Sequence, residues 1–164
     1  MPRRPANAIA TGAQPAPADW LALDRQLCFA LYAASLAMTK AYKPLLDPLG
    51  LTYPQYLVML VLWEGDDLTV SQLGQRLTLD SGTLTPLLKR LEALGLLQRQ
   101  RDPADERRVR LQLSPAGRRL QAQARSVPQA VACATGCDLQ QIGRLAAELT
   151  ALRHQLNPSP AEAA

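Results

Sequence analysis

The sequence predicts a mainly α fold (α+β class) with one β-hairpin, and three observations predict it. Apolar residues recur at helical spacing through long stretches of the chain. Apolar and polar residues alternate in Leu96–Arg101 and Val109–Leu113, as in half-buried strands. Capping or turn-forming residues stand where the pattern changes: Pro48 and Gly50, Asp80–Thr83, Gly95, Ser114–Pro115 and Asp138. At 164 residues, 48% of them hydrophobic, the chain is sized for one domain with a real core.

The elements follow in order. Trp20–Asp47 reads as a long amphipathic helix with Leu23, Leu27, Leu31, Ala34, Met38, Leu45 and Leu46 on or near one face. Tyr53–Trp63 is nearly continuously apolar and is expected to be a helix buried on most sides. Leu73 and Leu77 lie four apart on a short helix starting near Ser71, whose hydroxyl is placed to cap it. After the turn cluster Asp80–Thr83, the residues Leu84, Leu87, Leu88, Leu91 and Leu94 bury one face of a second helix. Thr85, Lys89, Arg90 and Glu92 occupy the opposite face, and Gly95 stops the helix. Pro86 is harmless only in a first turn, so this helix is expected to begin near Ser81–Thr83. The two strands flank Asp102–Arg108, which is too polar and charged to be core. Ser114–Pro115 opens a helix running towards Thr135–Gly136. Asp138 opens the last one, Leu139–Leu156, with Gln141 as its capping-box partner.

Two short helices, a tight turn, then two strands around a charged loop make a winged helix-turn-helix. Arg99, Arg101, Arg107, Arg108 and Arg110 cluster on and around that loop. A basic loop alone is ordinary surface; one placed beside a helix rich in Thr, Lys and Arg is a phosphate-binding footprint. The formal charge of +4 excludes a bulk polyanion binder, so the placement of the basic residues carries the signal. Double-stranded DNA is the partner expected. The longest apolar run, Leu57–Trp63, falls far short of a membrane span. Arg3 and Arg4 are not followed by an apolar segment, so export is not expected and a cytoplasmic location is.

Residues 1–18 and the tail 157–164 are expected to be disordered, around a single domain at 19–156. In that domain the winged helix covers about 53–113, between helices at about 20–47 and 114–156. Those flanking segments show no catalytic pattern, and the chain is not expected to be an enzyme. Long apolar helices that cannot bury themselves tend to dimerise. A two-fold homodimer would present two recognition helices to half-sites about one turn of DNA apart.

The three cysteines, Cys28, Cys133 and Cys137, are too few and odd in number for a disulfide scaffold. A single Cys such as Cys28 commonly packs as a small apolar residue. Yet the chain has only four tyrosines, and Tyr32, Tyr42, Tyr53 and Tyr56 all lie within 28 residues of Cys28. A phenol that hydrogen-bonds sulfur favours the nucleophilic thiolate. The 14 residues from Cys28 to Tyr42 span about 20 Å of straight helix, so contact across an antiparallel dimer is the natural solution.

The order of elements and the wing sequence DPADERRVRLQLSPAG, with Asp105, Arg107 and the exit Leu113, Ser114, Gly117, resemble the MarR family of bacterial transcription regulators. The match covers about residues 20–156. Three further stretches resemble its organic hydroperoxide sensors, the OhrR-like subgroup: LCFALY at 27–32, LTYPQYLVMLVLWE at 51–64 and LDSGTLTPLLKRLE at 79–92. The resemblance implies that Ser81, Thr83, Thr85, Pro86, Lys89 and Arg90 lie on or near the DNA-recognition surface. It implies that Arg107 reaches the minor groove from the wing tip, while Asp105 holds the wing loop through a salt bridge. It further implies that Cys28 is the peroxidatic thiolate, held by Tyr42 and Tyr53 of the partner subunit with Tyr32 close by. Family members with a C-terminal Cys form an intersubunit disulfide, and position favours Cys133 over Cys137 as the resolving residue. The signal is then an organic hydroperoxide. Oxidation of Cys28 would release the operator, and the apolar residues Phe29, Leu31, Met38, Leu57 and Met59 favour acyl or aryl hydroperoxides.

Two other readings stand beside this one. A MarR-type repressor relieved by a phenolic or carboxylate ligand would leave Cys28 as core. A thiol peroxidase would need a recycling motif such as Cys-x-x-Cys, which the sequence lacks. No cofactor is implied and no metal site is expected: His154 is the only histidine, read as surface or dimer packing, and Cys-x-x-x-Cys is poor zinc spacing.

Overall fold

The computed structural model describes residues 20–103 and 105–157. The disorder expected for residues 1–18 and for the tail after Asn157 falls outside the described residues. The chain divides into two compact units, one ending at Met38 and one beginning at Thr39.

The first unit holds a 3-10 turn, Leu23–Arg25, and the start of α1, Leu27–Leu46. The single helix expected from Trp20 is therefore interrupted. Gln26 is extended, with φ −80° and ψ 117°, and its side-chain amide donates back to the Ala22 carbonyl at 3.4 Å. Leu27, Tyr32, Leu36 and Met38 are exposed on this unit.

The second unit begins within α1, which gives way to a 3-10 turn, Asp47–Leu49, closed by Gly50 in the left-handed region at φ 67°. α2, Tyr53–Glu64, starts from a capping box in which the Thr52 N–H donates to Gln55 Oε1 at 2.8 Å. Its apolar residues point all round, and Tyr56, Val58, Met59, Val61 and Leu62 are all buried. Each such side chain gains roughly 1.5–3 kcal/mol over an exposed one, which makes α2 the spine of this unit.

β1, Leu68–Thr69, leads into α3, Val70–Leu77, and α4, Ser81–Ala93. α3 starts one residue before Ser71. Thr69 caps it, accepting from the Gln72 N–H at 3.2 Å while Gln72 Oε1 accepts from the Thr69 N–H at 2.8 Å. α4 is capped by Asp80, whose Oδ1 accepts from the Thr83 N–H at 2.8 Å. Pro86 consequently stands in the second turn rather than the first. The missing N–H leaves one carbonyl without its helical partner, while Leu84, Leu88 and Leu91 anchor the helix in the core. Leu94, expected on the buried face, is exposed at the C-cap just past the helix.

Gly95, at φ 70°, turns the chain into β2, Leu97–Asp102, and β3, Asp105–Leu113. These strands are antiparallel, with Leu97 opposite Leu113, Arg99 opposite Leu111 and Arg101 opposite Val109. β1 adds to the other edge of β3, Leu68 facing Leu111, giving the order β1-β3-β2. The sequence predicts a loop over Asp102–Arg108; most of it is strand, and the buried Asp102 pairs with Arg110 at 3.2 Å. The two-residue β1 is too short to leave a period in the sequence.

The helix expected from Pro115 to Thr135 is two helices, α5, Pro115–Ala124, and α6, Val127–Thr135. Pro128 has no N–H to give the Ala124 carbonyl and its ring clashes there, so one helix cannot run through. α7, Leu139–Leu156, is capped as expected by Asp138 and Gln141. It buries no residue and leaves Leu139, Leu145, Leu149 and Leu156 exposed.

Candidate nucleic-acid interface and cysteine site

The core pins one face of α4 through Leu84, Leu88 and Leu91, and the other face stays open. Ser81, Thr83, Thr85, Pro86, Lys89 and Arg90 are all exposed. Two of the hydroxyls are already oriented: Thr83 donates to Asp80 Oδ2 at 2.9 Å and Thr85 to the Ser81 carbonyl at 2.7 Å. Their lone pairs remain available, and the charged donors of this face are Lys89 and Arg90.

The five wing arginines do not play one role. Glu92 takes Arg99 at 2.6 Å, a pairing that holds the Glu92 carboxyl below the usual carboxylate range. Asp67 and Asp102 take Arg110, raising its pKa further above the usual guanidinium value. Asp105 pairs with Arg108 at 3.1 Å and accepts from the Arg107 N–H at 3.1 Å, as a loop-holding residue should. Among the described residues Arg101 and Arg107 have no ion-pair partner, and both are exposed. Arg107 sits on β3 itself, two residues in from its start.

Thr85 of α4 and Arg107 of β3 line one concavity of about 290 Å³, together with Ser71, Arg99 and Arg108. The helix face and the wing are thereby joined into a single basic, hydroxyl-rich surface. That geometry suits a phosphate backbone. Sequence reasoning missed the brace behind it. Asp66 accepts from the Leu113 N–H at 2.8 Å and pairs with Arg118 at 2.5 Å, while Asp67 holds Arg110. The adjacent acids Asp66 and Asp67, just before the strand facing Arg110, were the signal available.

A family model described as transcriptional regulator SarA/Rot matches residues 40–123. The chain is also 48% identical to the organic hydroperoxide resistance transcriptional regulator of Bacillus subtilis strain 168, over 85% of this chain and 97% of that protein. The chain belongs to the MarR/SarA family of transcriptional regulators.

Within this family it falls in the OhrR-like subgroup. It is 50% identical to the regulator TtmR of Methylorubrum extorquens strain PA1, over 85% of this chain and 71% of that one. Solved structures of AbfR, a Staphylococcus epidermidis protein, are similar too. Reduced AbfR bound to DNA matches with TM-score 0.68 and 34% identity, over 85% of this chain and 98% of that one. AbfR in its disulfide form matches with TM-score 0.58 and 36% identity, over 82% and 95%. This MarR/SarA regulator thus shares its winged helix with proteins seen on DNA, and its relatives are regulators rather than enzymes.

As for the thiols of this MarR/SarA chain, Cys28 is exposed on α1 in the first unit, as is Tyr32 one turn on. Tyr42 and Tyr53 lie in the second unit with ring centroids 4.6 Å apart, and buried Tyr56 is 5.8 Å from Tyr42. Burial pushes the phenols of Tyr42, Tyr53 and Tyr56 up, and proximity to one another adds to this for Tyr42 and Tyr56. All three stay protonated at neutral pH and keep an O–H to donate. Cys133, in the last turn of α6, and Cys137, just before α7, line one apolar cavity of about 870 Å³. Cys133 is exposed; Cys137 is half-buried, its Sγ 3.7 Å from the Thr135 carbonyl. Tyr56 is the member of this cluster to which the sequence assigned no role.

Proposed function

We propose that this regulator is a homodimeric repressor that senses organic hydroperoxides through Cys28 and then releases its operator. The reading is supported by two separate features of a chain poor in aromatic residues: an exposed free thiol at Cys28, and a cluster of neutral phenols at Tyr42, Tyr53 and Tyr56. The Cys28 thiolate attacks the terminal oxygen of ROOH. An S–O bond forms, the O–O bond breaks, and the leaving alkoxide takes a proton to give ROH. Tyr42 and Tyr53 of the partner subunit donate to the thiolate, with Tyr32 nearby. The sulfenic acid then condenses with Cys133 of the partner subunit, losing water and forming a disulfide; Cys137 is the alternative resolving thiol.

The disulfide requires Cα atoms within about 7 Å. Where the two cysteines start further apart, closing the bond moves helices and with them the spacing of the two α4 helices, which must match successive major grooves. On the DNA, Lys89, Arg90 and Arg107 meet phosphates or base edges, and Ser81, Thr83, Thr85 and Pro86 contact the major-groove side. The exposed apolar residues of α1 and α7 form the dimer interface, so light scattering at micromolar concentration should report a dimer. That AbfR has been solved both on DNA and in disulfide form supports this scheme.

Non-reducing gels after peroxide test the thiol chemistry. Cys28→Ser should abolish the cross-linked dimer and Cys133→Ser should remove it, while Cys137→Ser leaves it. Persistence in both C-terminal variants contradicts the two-cysteine scheme. One observation favours a second reading, relief by a small carboxylate or phenolic ligand: Tyr56, Leu60, Trp63 and Arg125 line a cavity of about 310 Å³. Under that reading Cys28→Ser keeps its full response.

A further inference from the structure

We propose that the slot beside Tyr53 is an acyl subsite in which the Lys40 ammonium receives the carboxylate of a fatty-acid hydroperoxide. The inference rests on the sensing reading above, in which Tyr53 stands beside Cys28 of the partner subunit.

The slot has a volume of about 290 Å³, and Leu46, Leu51, Tyr53 and Pro54 give it apolar walls. Leu46 and Leu51 are buried, whereas Lys40, Lys43 and Asp47 stand exposed at its rim. The two lysines are not equivalent. Lys43 Nζ donates to both Asp47 carboxylate oxygens at 2.9 Å, and that pair is internally neutral. Lys40 has no ion-pair partner among the described residues. Two ammonium groups against one carboxylate leave the rim with a single positive charge.

Tyr53 adds no negative charge, because burial keeps its phenol protonated. A monoanion with a long apolar tail matches one unpaired cation above a hydrocarbon wall. A polyphosphate would find one uncompensated positive charge at the rim, since Lys43 is held by Asp47. The Thr52 hydroxyl, which also lines the slot with Thr39, already donates to Gln55 Oε1, and Leu46, Leu51 and Pro54 offer no hydrogen bond.

With its carboxylate at Lys40 and its chain along the slot, a fatty-acid hydroperoxide carries its mid-chain –OOH towards the Tyr53 phenol. The thiolate of Cys28 of the partner subunit then bonds to the terminal oxygen, the O–O bond breaks, and the hydroxy-acid alkoxide takes a proton from water. Hydrogen peroxide gains nothing from the slot. The subsite therefore selects by charge and chain together.

The test is single-turnover oxidation of Cys28 in the full-length reduced protein. The probes are a C18 fatty-acid hydroperoxide and its methyl ester, both below micelle-forming concentration. Wild type should react about two- to fivefold faster with the acid than with the ester, the size expected of one exposed ion pair. The ratio should shrink as salt rises, fall to near one in Lys40→Gln and persist in Lys40→Arg. A salt-insensitive wild-type ratio near one, with Cys28 still oxidised by both, overturns the subsite and leaves the sensing reading standing. A ratio that survives in Lys40→Gln also overturns it. A Cys28 that neither compound oxidises overturns both.

Discussion

Arg110 grips Asp67 with two nitrogens: Nε donates to Oδ1 at 2.8 Å, and Nη2 donates to Oδ2 at 2.5 Å and to the Asp67 carbonyl at 3.0 Å. Asp67 lies in the left-handed region at φ 65°, which only a few residue types occupy without strain. Nη1 of the same guanidinium reaches Asp102 at 3.2 Å. One arginine thus ties the middle of β3 to the end of β2 and to the turn before β1. The wing that carries Arg107 is a braced element.

Asp67→Asn and Asp67→Ala separate the charge from the backbone conformation. Asn tolerates positive φ but leaves Arg110 with Asp102 as its remaining anion, and Ala loses both the charge and that tolerance. Amide exchange in β2 and β3 should accelerate from wild type to Asn to Ala; equal protection in all three contradicts the brace. The pH dependence follows from the Arg110 hydrogen bonds, which hold the Asp67 carboxyl below the usual range. Its stabilisation is present above that usual range and is lost as pH falls through the lowered value. Unfolding midpoints of wild type and Asp67→Asn should converge on acidification and separate towards neutrality.

The arginines should differ in their salt signatures. Lys89→Ala, Arg90→Ala and Arg107→Ala should each lower the slope of log affinity against log salt by about 0.9 for every phosphate contact removed. Arg99→Ala should leave the slope nearly unchanged, because Glu92 already holds that guanidinium. Operator titration by fluorescence anisotropy across a salt series reads all four, and an equal slope change for Arg99 and Arg107 contradicts the assignment.

Capping gives a sharp stability contrast. Thr69→Ala removes the α3 cap and should destabilise by about 1 kcal/mol in chemical denaturation. Ser71→Ala, one residue into the helix and exposed, should change stability by less than about 0.5 kcal/mol. The reverse order restores Ser71 as the cap.

Gly117 marks a close approach between α5 and the wing. A Cβ there would lie 2.0 Å from the Leu96 carbonyl oxygen, and the Gly117 carbonyl accepts from Trp63 Nε1 at 2.9 Å. Neither partner is free to retreat, so Gly117→Ala should cost about 2–3 kcal/mol, in the range of overpacked core sites. A neutral substitution shows that α5 can shift.

Much of this was legible in the sequence, for physical reasons that differ by element. α4 and α7 announce themselves through leucine spacing and an acidic cap, and both lie where Asp80 and Asp138 place them. The exposed residues of α4 follow directly, since fixing Leu84, Leu88 and Leu91 inside puts Lys89 and Arg90 outside. The break at Arg125–Ser126 was hidden because apolar spacing continues across it; Pro128 was its only local sign. Only Asp102–Arg108 of the wing reads as loop in the sequence, because its charges look solvated, whereas Asp67 and Asp102 share the Arg110 guanidinium through contacts distant in sequence. For the same reason sequence alone could not sort the paired arginines from Arg101 and Arg107.

Operator binding by wild type and Cys28→Ser, each reduced and then treated with cumene hydroperoxide, tests the central claim most directly. Reduced, both should bind tightly. After peroxide, wild type should release the DNA and recover it on adding thiol, while Cys28→Ser stays bound throughout. A Cys28→Ser protein that still lets go of its operator on peroxide treatment would contradict sensing through this thiol.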